Sequence, residues 1–176
     1  MKNKTSLTKD AILKDPYNYT LKEMKDCLGE EMATDFFESL YKNKPKIQNQ
    51  TVKIKEVFNG KDTLKYAFEL SDGYCIETVC IKRKTGITVC VSTMVGCPVG
   101  CIFCASGKNG FIRNLSSSEI VQQIVLLKEK VNRIVFMGMG EPLLNYGEVI
   151  KAIHILRDRN GLNFPTDGIT ISTVGP

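Results

Sequence analysis

Apolar positions change their period along this chain, and the changes divide it into three stretches. Within residues 1–46, Leu21, Met24, Leu28, Met32, Phe36 and Leu40 recur at three- and four-residue steps, predicting one face of a helix or helix pair. Thr20 with Glu23 three residues on predicts a capping box. Residues 42–50 are polar, hold Pro45 and read as a linker. Residues 51–93 read as strands. The turn pairs Asn59-Gly60, Asp72-Gly73 and Thr85-Gly86 set off residues 64–70, 74–81 and 87–93, all rich in β-branched or aromatic side chains. The first two gaps are short enough for antiparallel hairpins.

After residue 93 strand and helix alternate. Residues 116–119 resemble a capping box and open a helix that turns Ile120, Ile124, Leu127 and Val131 toward a core. Residues 133–137 read as a buried strand. Residues 146–159 read as a second helix, with Gly161 where a C-terminal glycine belongs, and residues 169–173 as a third strand. This alternation predicts parallel strands joined by right-handed crossovers. The expected class is α/β, with part of a (βα) barrel over residues 87–176. A helical N-terminal accessory domain (1–46) and a linker with a β-hairpin extension (47–86) are expected before it. Three strands do not close a barrel, so the front part of a longer protein is expected.

Hydrophobic residues make up 43% and charged residues 24%, a soluble globular balance. No apolar run is long enough to span a bilayer, and no apolar segment follows the basic start Met1-Lys2-Asn3-Lys4. A cytoplasmic location without membrane attachment is therefore expected. The net charge of +5 is spread along the chain; it permits a polyanionic partner without demanding one.

The chain has seven cysteines, an odd count that argues against a disulfide framework. Three of them crowd into Cys97-Pro98-Val99-Gly100-Cys101-Ile102-Phe103-Cys104. Thiolates at this spacing suit three corners of a four-iron cluster, with the fourth iron open to a small molecule. Buried core cysteines at helical spacing are disfavoured by Pro98, Gly100 and Gly107. A structural zinc needs a fourth ligand, and the only histidine is His154. Paired redox thiols would need only the Cys-x-x-Cys half of the pattern.

Cys-x-x-x-Cys-x-x-Cys after a first strand, with an aromatic residue before the last cysteine, resembles the radical S-adenosylmethionine (SAM) enzymes. The flanks narrow the likeness. Cys90 to Cys97 (Cys-Val-Ser-Thr-Met-Val-Gly-Cys), Gly110 to Leu115 and Met137 to Asn145 are similar to the RlmN/Cfr family, with the RlmN type favoured by Glu141-Pro142-Leu143-Leu144-Asn145. The likeness is close over residues 64–176 and loose before them. It implies a radical-SAM barrel that binds a 4Fe-4S cluster through Cys97, Cys101 and Cys104, and S-adenosyl-L-methionine as second cofactor. It implies methylation of adenine carbon 2 in 23S rRNA, and possibly in tRNA. The alternatives are carbon 8, as in the resistance-conferring branch, or a non-catalytic Fe–S or RNA-binding fragment. An electron donor such as flavodoxin or ferredoxin is implied. Cys90 matches the cysteine that resolves the protein–RNA adduct, and Glu77 the proposed general base. Gly140, Glu141 and Ser172 match cofactor contacts. The family's methyl-carrying cysteine has no counterpart here, so this chain alone is expected to be inactive in methyl transfer. Lys82-Arg83-Lys84, Lys108 and Arg113 are candidates for RNA phosphates, and His154 for packing. Cys27, Cys75 and Cys80 receive no role.

Overall fold

A computed structural model of the chain describes residues 7–42, 50–108 and 110–175. Most of the linker expected at 42–50 lies outside the described residues.

The front of the chain forms α1 (Lys9–Lys14), a 3-10 turn (Pro16–Asn18), α2 (Leu21–Leu28) and α3 (Glu30–Lys42). The capping box of α2 is formed: the Glu23 N–H donates to Thr20 Oγ1 at 3.3 Å and the Thr20 N–H to Glu23 Oε2 at 2.8 Å. The six apolar positions do not share one face. Gly29, at φ +86°, ends α2 in a conformation that side chains disfavour, and the helical phase restarts after it. As a result α3 buries Ala33, Phe37, Leu40 and Tyr41, while Met32 is 56% exposed.

Among the described residues eight strands follow: β1 (Val52–Asn59), β2 (Thr63–Leu70), β3 (Cys75–Arg83), β4 (Gly86–Cys90), β5 (Met94–Gly96), β6 (Phe111–Asn114), β7 (Val131–Phe136) and β8 (Ile169–Ile171). Six of them form one sheet in the order β1-β2-β3-β4-β7-β8. β1 to β4 are antiparallel neighbours; β4, β7 and β8 are parallel. The sheet is continuous across residue 86, because a two-residue turn at Lys84-Thr85 joins β3 to β4 as a third hairpin. β5 and β6 form a separate antiparallel pair.

Two helices, α4 (Ser117–Val125) and α5 (Tyr146–Arg157), connect the parallel strands. Cα register puts Ile76, Thr78, Cys80, Val89 and Ile134 on one face of the sheet, and all are fully buried. Ile76, Cys80, Val89 and Ile134 share a core cluster with Ile120, Val121 and Ile124 of α4 and Val149, Ala152, Ile155 and Leu156 of α5. Each fully buried aliphatic side chain contributes about 1.5–3 kcal/mol. Every residue of α4 is buried, because the Pro16–Asn18 turn and the start of β1 cover its far side. Ser117 Oγ donates to Asn18 Oδ1 at 2.7 Å, Ser118 Oγ donates to Asp15, and Gln122 accepts from the Val52 N–H at 3.3 Å.

Four local expectations are corrected. α4 stops at Val125, so Val131 is not on its face but opens β7; the apolar spacing ran on across a loop. The strand expected over 87–93 stops at Cys90. The second helix ends at Arg157, and Gly161, three residues past the Asp158 C-cap, serves packing: a Cβ there would meet Phe37 Cε1 at 2.9 Å. His154 is exposed on α5 rather than packed. Among the described residues, no helix is long and apolar enough to cross a membrane.

Candidate functional site

The carboxyl ends of β4, β7 and β8 lie along one rim of the sheet, where ligands bind in parallel α/β architectures. Three segments leave that rim. The first runs from Val91 through the cysteines and returns at Leu115. The second is Met137 to Asn145, and the third is Ser172 to Gly175.

The cysteine excursion is stapled at its base. β5 pairs with β6, and the Cys97 N–H donates to the Gly110 carbonyl at 3.1 Å. At Gly96, φ +75°, a Cβ would lie 1.9 Å from the Gly110 oxygen, so only glycine closes this base. Arg113 anchors the staple from outside. Its guanidinium grips Glu119 with two bonds of 2.8 Å and Asp72 with one of 2.6 Å, all at donors that RNA phosphate would need. Arg113 is thus a structural clamp rather than a free phosphate contact.

Cys97, Cys101 and Cys104 are free thiols of intermediate exposure. The Ser106 backbone N–H and hydroxyl hold the Cys104 thiol below its usual range, which favours the thiolate that metals bind. Among the described residues no three His, Cys, Asp or Glu side chains gather as a single metal ion requires. The donor set, three thiols on one short loop with Gly100 and Gly107 in close contact, fits the cluster. Ile102 and Phe103, 99% and 88% exposed, stand beside the thiols.

Glu141 sits in the second segment and is buried. Burial alone raises its pKa, but the Thr173 hydroxyl and the N–H groups of Leu143 and Val174 outweigh that and hold the carboxyl below its ordinary value. The Leu143 N–H lies 3.0 Å from Oε1 and the Val174 N–H 3.1 Å from Oε2. A carboxylate offers about four acceptor positions. Three are taken here, which leaves capacity for an ammonium group. The same bonds tie Thr173 and Val174, and with them the segment of exposed Ser172 just past β8, to Glu141. Gly138 and Gly140 are required by packing whether or not a ligand is near. A Cβ on Gly138 would lie 2.6 Å from the Val91 oxygen, and one on Gly140 2.7 Å from Met94 Cβ.

The sheet face opposite the core carries Cys90 and Glu77. Register pairs Cys90 with Val79 and with Val135, so Glu77, two residues from Val79, is its diagonal neighbour at about 7–8 Å. Burial raises the Cys90 thiol pKa, against an opposing hydrogen bond from the Met137 backbone. Glu77 is not a buried carboxylate: it is exposed and paired with Lys65 Nζ at 2.8 Å. Of the other cysteines, Cys80 is buried with its pKa pushed up to about 12 by burial and then Glu129, Cys27 donates to the Leu7 carbonyl, and Cys75 is exposed near Lys55. Sequence reasoning missed Ser92, Gln123 and Asn145, which tie the segments together. Two of them lie inside the quoted motifs, and the third is a polar residue in an apolar helical run.

Comparison with known proteins agrees with this architecture. Residues 91–176 match the radical SAM superfamily. The chain is 61% identical over 116 residues to a probable RNA methyltransferase of Rhodopseudomonas palustris (strain BisB5), covering 66% of this chain and 32% of that protein. It is 49% identical over 133 residues to a probable dual-specificity RNA methyltransferase RlmN of Pseudothermotoga lettingae, covering 73% and 39%. The crystal structure of a radical SAM methyltransferase from Sphaerobacter thermophilus superposes with a TM-score of 0.85 at 31% identity, over 91% of this chain and 57% of that one. The chain thus spans about a third of the length of one curated relative and about two fifths of the other. Residues 91–176, which hold the thiol loop, the acidic turn and two of the parallel strands, thus belong to the radical SAM superfamily, and the chain is similar to RlmN-type RNA methyltransferases.

Proposed function

We propose that this chain carries the cluster- and SAM-binding part of a methyltransferase acting on carbon 2 of adenine in 23S rRNA and in tRNA. The observation that carries the reading is the meeting of the three-thiol loop and the ionised Glu141 turn at the carboxyl rim of three parallel strands. The relative from Pseudothermotoga lettingae bears the name dual-specificity RNA methyltransferase, which agrees with two kinds of RNA.

In this reading Cys97, Cys101 and Cys104 hold a 4Fe-4S cluster that, when bound and reduced, supplies the electron for homolytic cleavage of SAM. Glu141 takes the methionine ammonium on its remaining acceptor capacity. Gly140 and Ser172 flank the cofactor. Cys90 resolves the protein–RNA adduct; its raised pKa keeps it a thiol until a base or the substrate engages it. Glu77 accepts the proton removed from the adenine ring, its carboxylate being paired with Lys65 until RNA displaces that partner. A ribosomal substrate and a low-potential donor such as flavodoxin or ferredoxin both point to the cytoplasm.

Anaerobic reconstitution with iron and sulfide tests the reading. Four irons per chain and dithionite-dependent conversion of SAM to 5′-deoxyadenosine are expected. Bound zinc without iron would overturn it. Mapping the modified carbon in RNA digests of cells carrying the full-length gene separates carbon 2 from carbon 8.

A further inference from the structure

Asn145 occupies the N-cap position of α5, yet its side chain makes no capping bond. An N-cap asparagine ordinarily accepts from the second or third N–H of its helix. Here the side chain, 4% exposed, turns away from the helix. Nδ2 donates to the Thr93 carbonyl and to the Leu115 carbonyl, each at 2.8 Å. Thr93 is where the cysteine excursion leaves the body of the protein, and Leu115 is where it returns. The Leu115 N–H also donates to the Thr93 carbonyl at 3.0 Å, so the neck of the loop is a three-group junction closed by one amide.

Asn145 stands four residues after Glu141. The intervening Pro142–Asn145 turn is a 3-10 helix whose N-cap is Glu141 itself. The segment offers little slack between the carboxylate and the amide. The neck is also zipped to the Glu141 segment on its other side, where the N–H groups of Thr93 and Met94 donate to the Met139 carbonyl at 2.8 and 3.2 Å. A backbone that needed only a helix cap at residue 145 would be served by Ser, Thr or Asp. Two donors on one short planar group are needed only to span the two carbonyls.

The geometry points to Asn145 as a positioning residue that sets the distance between the thiol loop and the Glu141 turn, and so sets how SAM lies across the open iron. It touches neither thiol nor carboxylate. The inference rests on the cluster-and-SAM reading above.

Asn145→Asp and Asn145→Ser test it, because both keep a strong N-cap residue and both remove the double donor. The first check needs no cofactor. Amide exchange at Leu115 is expected to accelerate about tenfold or more in both variants of the cluster-free protein, with the α5 amides unchanged. After reconstitution, iron per chain is expected to equal wild type. The SAM concentration needed to shift the electron paramagnetic resonance signal of the reduced cluster is expected to rise about tenfold. A merely structural residue would lower iron retention and leave that concentration alone. Unchanged exchange, an unchanged SAM response, or loss of the folded far-UV spectrum in both variants would each overturn the positioning role. If instead the wild type takes up no iron, or its signal ignores SAM, the underlying reading fails, while the Leu115 exchange result still reports on the neck.

Discussion

The carboxamide of Gln123 serves Ser92 as a neighbouring strand would. Oε1 accepts the Ser92 N–H at 2.8 Å and Nε2 donates to the Ser92 carbonyl at 3.0 Å. Oε1 also takes the Thr78 hydroxyl at 2.7 Å and Nε2 the Glu119 carbonyl at 3.3 Å, so all four positions of a fully buried amide are filled. Ser92 is itself a junction. Its Oγ donates to the Glu77 carbonyl at 2.7 Å and accepts the Met139 N–H at 3.0 Å. One helix residue therefore fixes the point where the Glu77 strand, the thiol loop and the Glu141 segment meet.

Gln123→Leu keeps the volume and strands the Ser92 N–H and carbonyl and the Thr78 hydroxyl. Buried polar groups without partners cost about 1–3 kcal/mol each, partly relieved by relaxation. A loss of about 3 kcal/mol in urea unfolding is expected. Gln123→Glu should also destabilise, because an ionised carboxylate has no donor for the Ser92 and Glu119 carbonyls.

Gly138 of the Glu141 segment and Gly147 of α5 predict opposite effects of one substitution. Gly138→Ala puts a methyl group 2.6 Å from the Val91 oxygen and 2.8 Å from the Ser92 nitrogen, both backbone atoms that cannot swing aside. A cost of at least about 2 kcal/mol is expected. Gly147→Ala, in the first turn of α5 with nothing within 4 Å of the new Cβ, should stabilise by about 0.5–1 kcal/mol through helix propensity. Thermal melts of the two variants beside wild type check both signs.

What could be read from the amino-acid order, and what could not, follows from range. Thr20 with Glu23 and Ser116 with Glu119 are three-residue relations, and both capping boxes formed as expected. The turns at Gly60 and Gly73 were legible for the same local reason, whereas at Gly86 the turn falls one residue earlier and the glycine opens β4. The helical face from Leu21 to Leu40 was misread because a single residue, Gly29, resets the phase. Arg113 looked like a free cation because Asp72, 41 residues away, is brought beside it only by the fold. Asn145 and Gln123 were invisible as site residues because, apart from the Glu119 carbonyl, their partners lie 30 to 52 residues away and are mostly backbone atoms, which carry no sequence signature.

Arg113 predicts a stability loss at a position that looks like surface. Arg113→Met leaves Glu119, almost wholly buried at the start of α4, without its bidentate partner, and frees Asp72 in the β2–β3 turn. Removing one member of such a cluster is expected to cost about 2 kcal/mol, with the staple behind the cysteine loop loosened first. Arg113→Lys should recover only part of this, since an ammonium cannot make the two parallel bonds to Glu119. Limited proteolysis between Gly96 and Phe111 would report the loosening before global unfolding does.

Glu141 predicts a pH dependence whose sign is set by its depressed pKa. The folded carboxyl titrates below the ordinary value of 4.5, so between the two values the unfolded chain holds the extra proton. The stabilisation is therefore fully present above about pH 4.5 and is lost as pH falls through the folded value. Asp15 shifts the opposite way, raised by burial, so the pH curve of the whole chain mixes both signs. The difference between wild type and Glu141→Gln isolates the group. Gln keeps one acceptor for the Leu143 or Val174 N–H, but its amide hydrogens face the other donor. Urea midpoints measured from pH 7 to pH 3 should show a gap that is constant down to about pH 5 and then narrows. A gap that widens on acidification would mean that the carboxyl is buried as the neutral acid, and that it has no charge to offer an ammonium group.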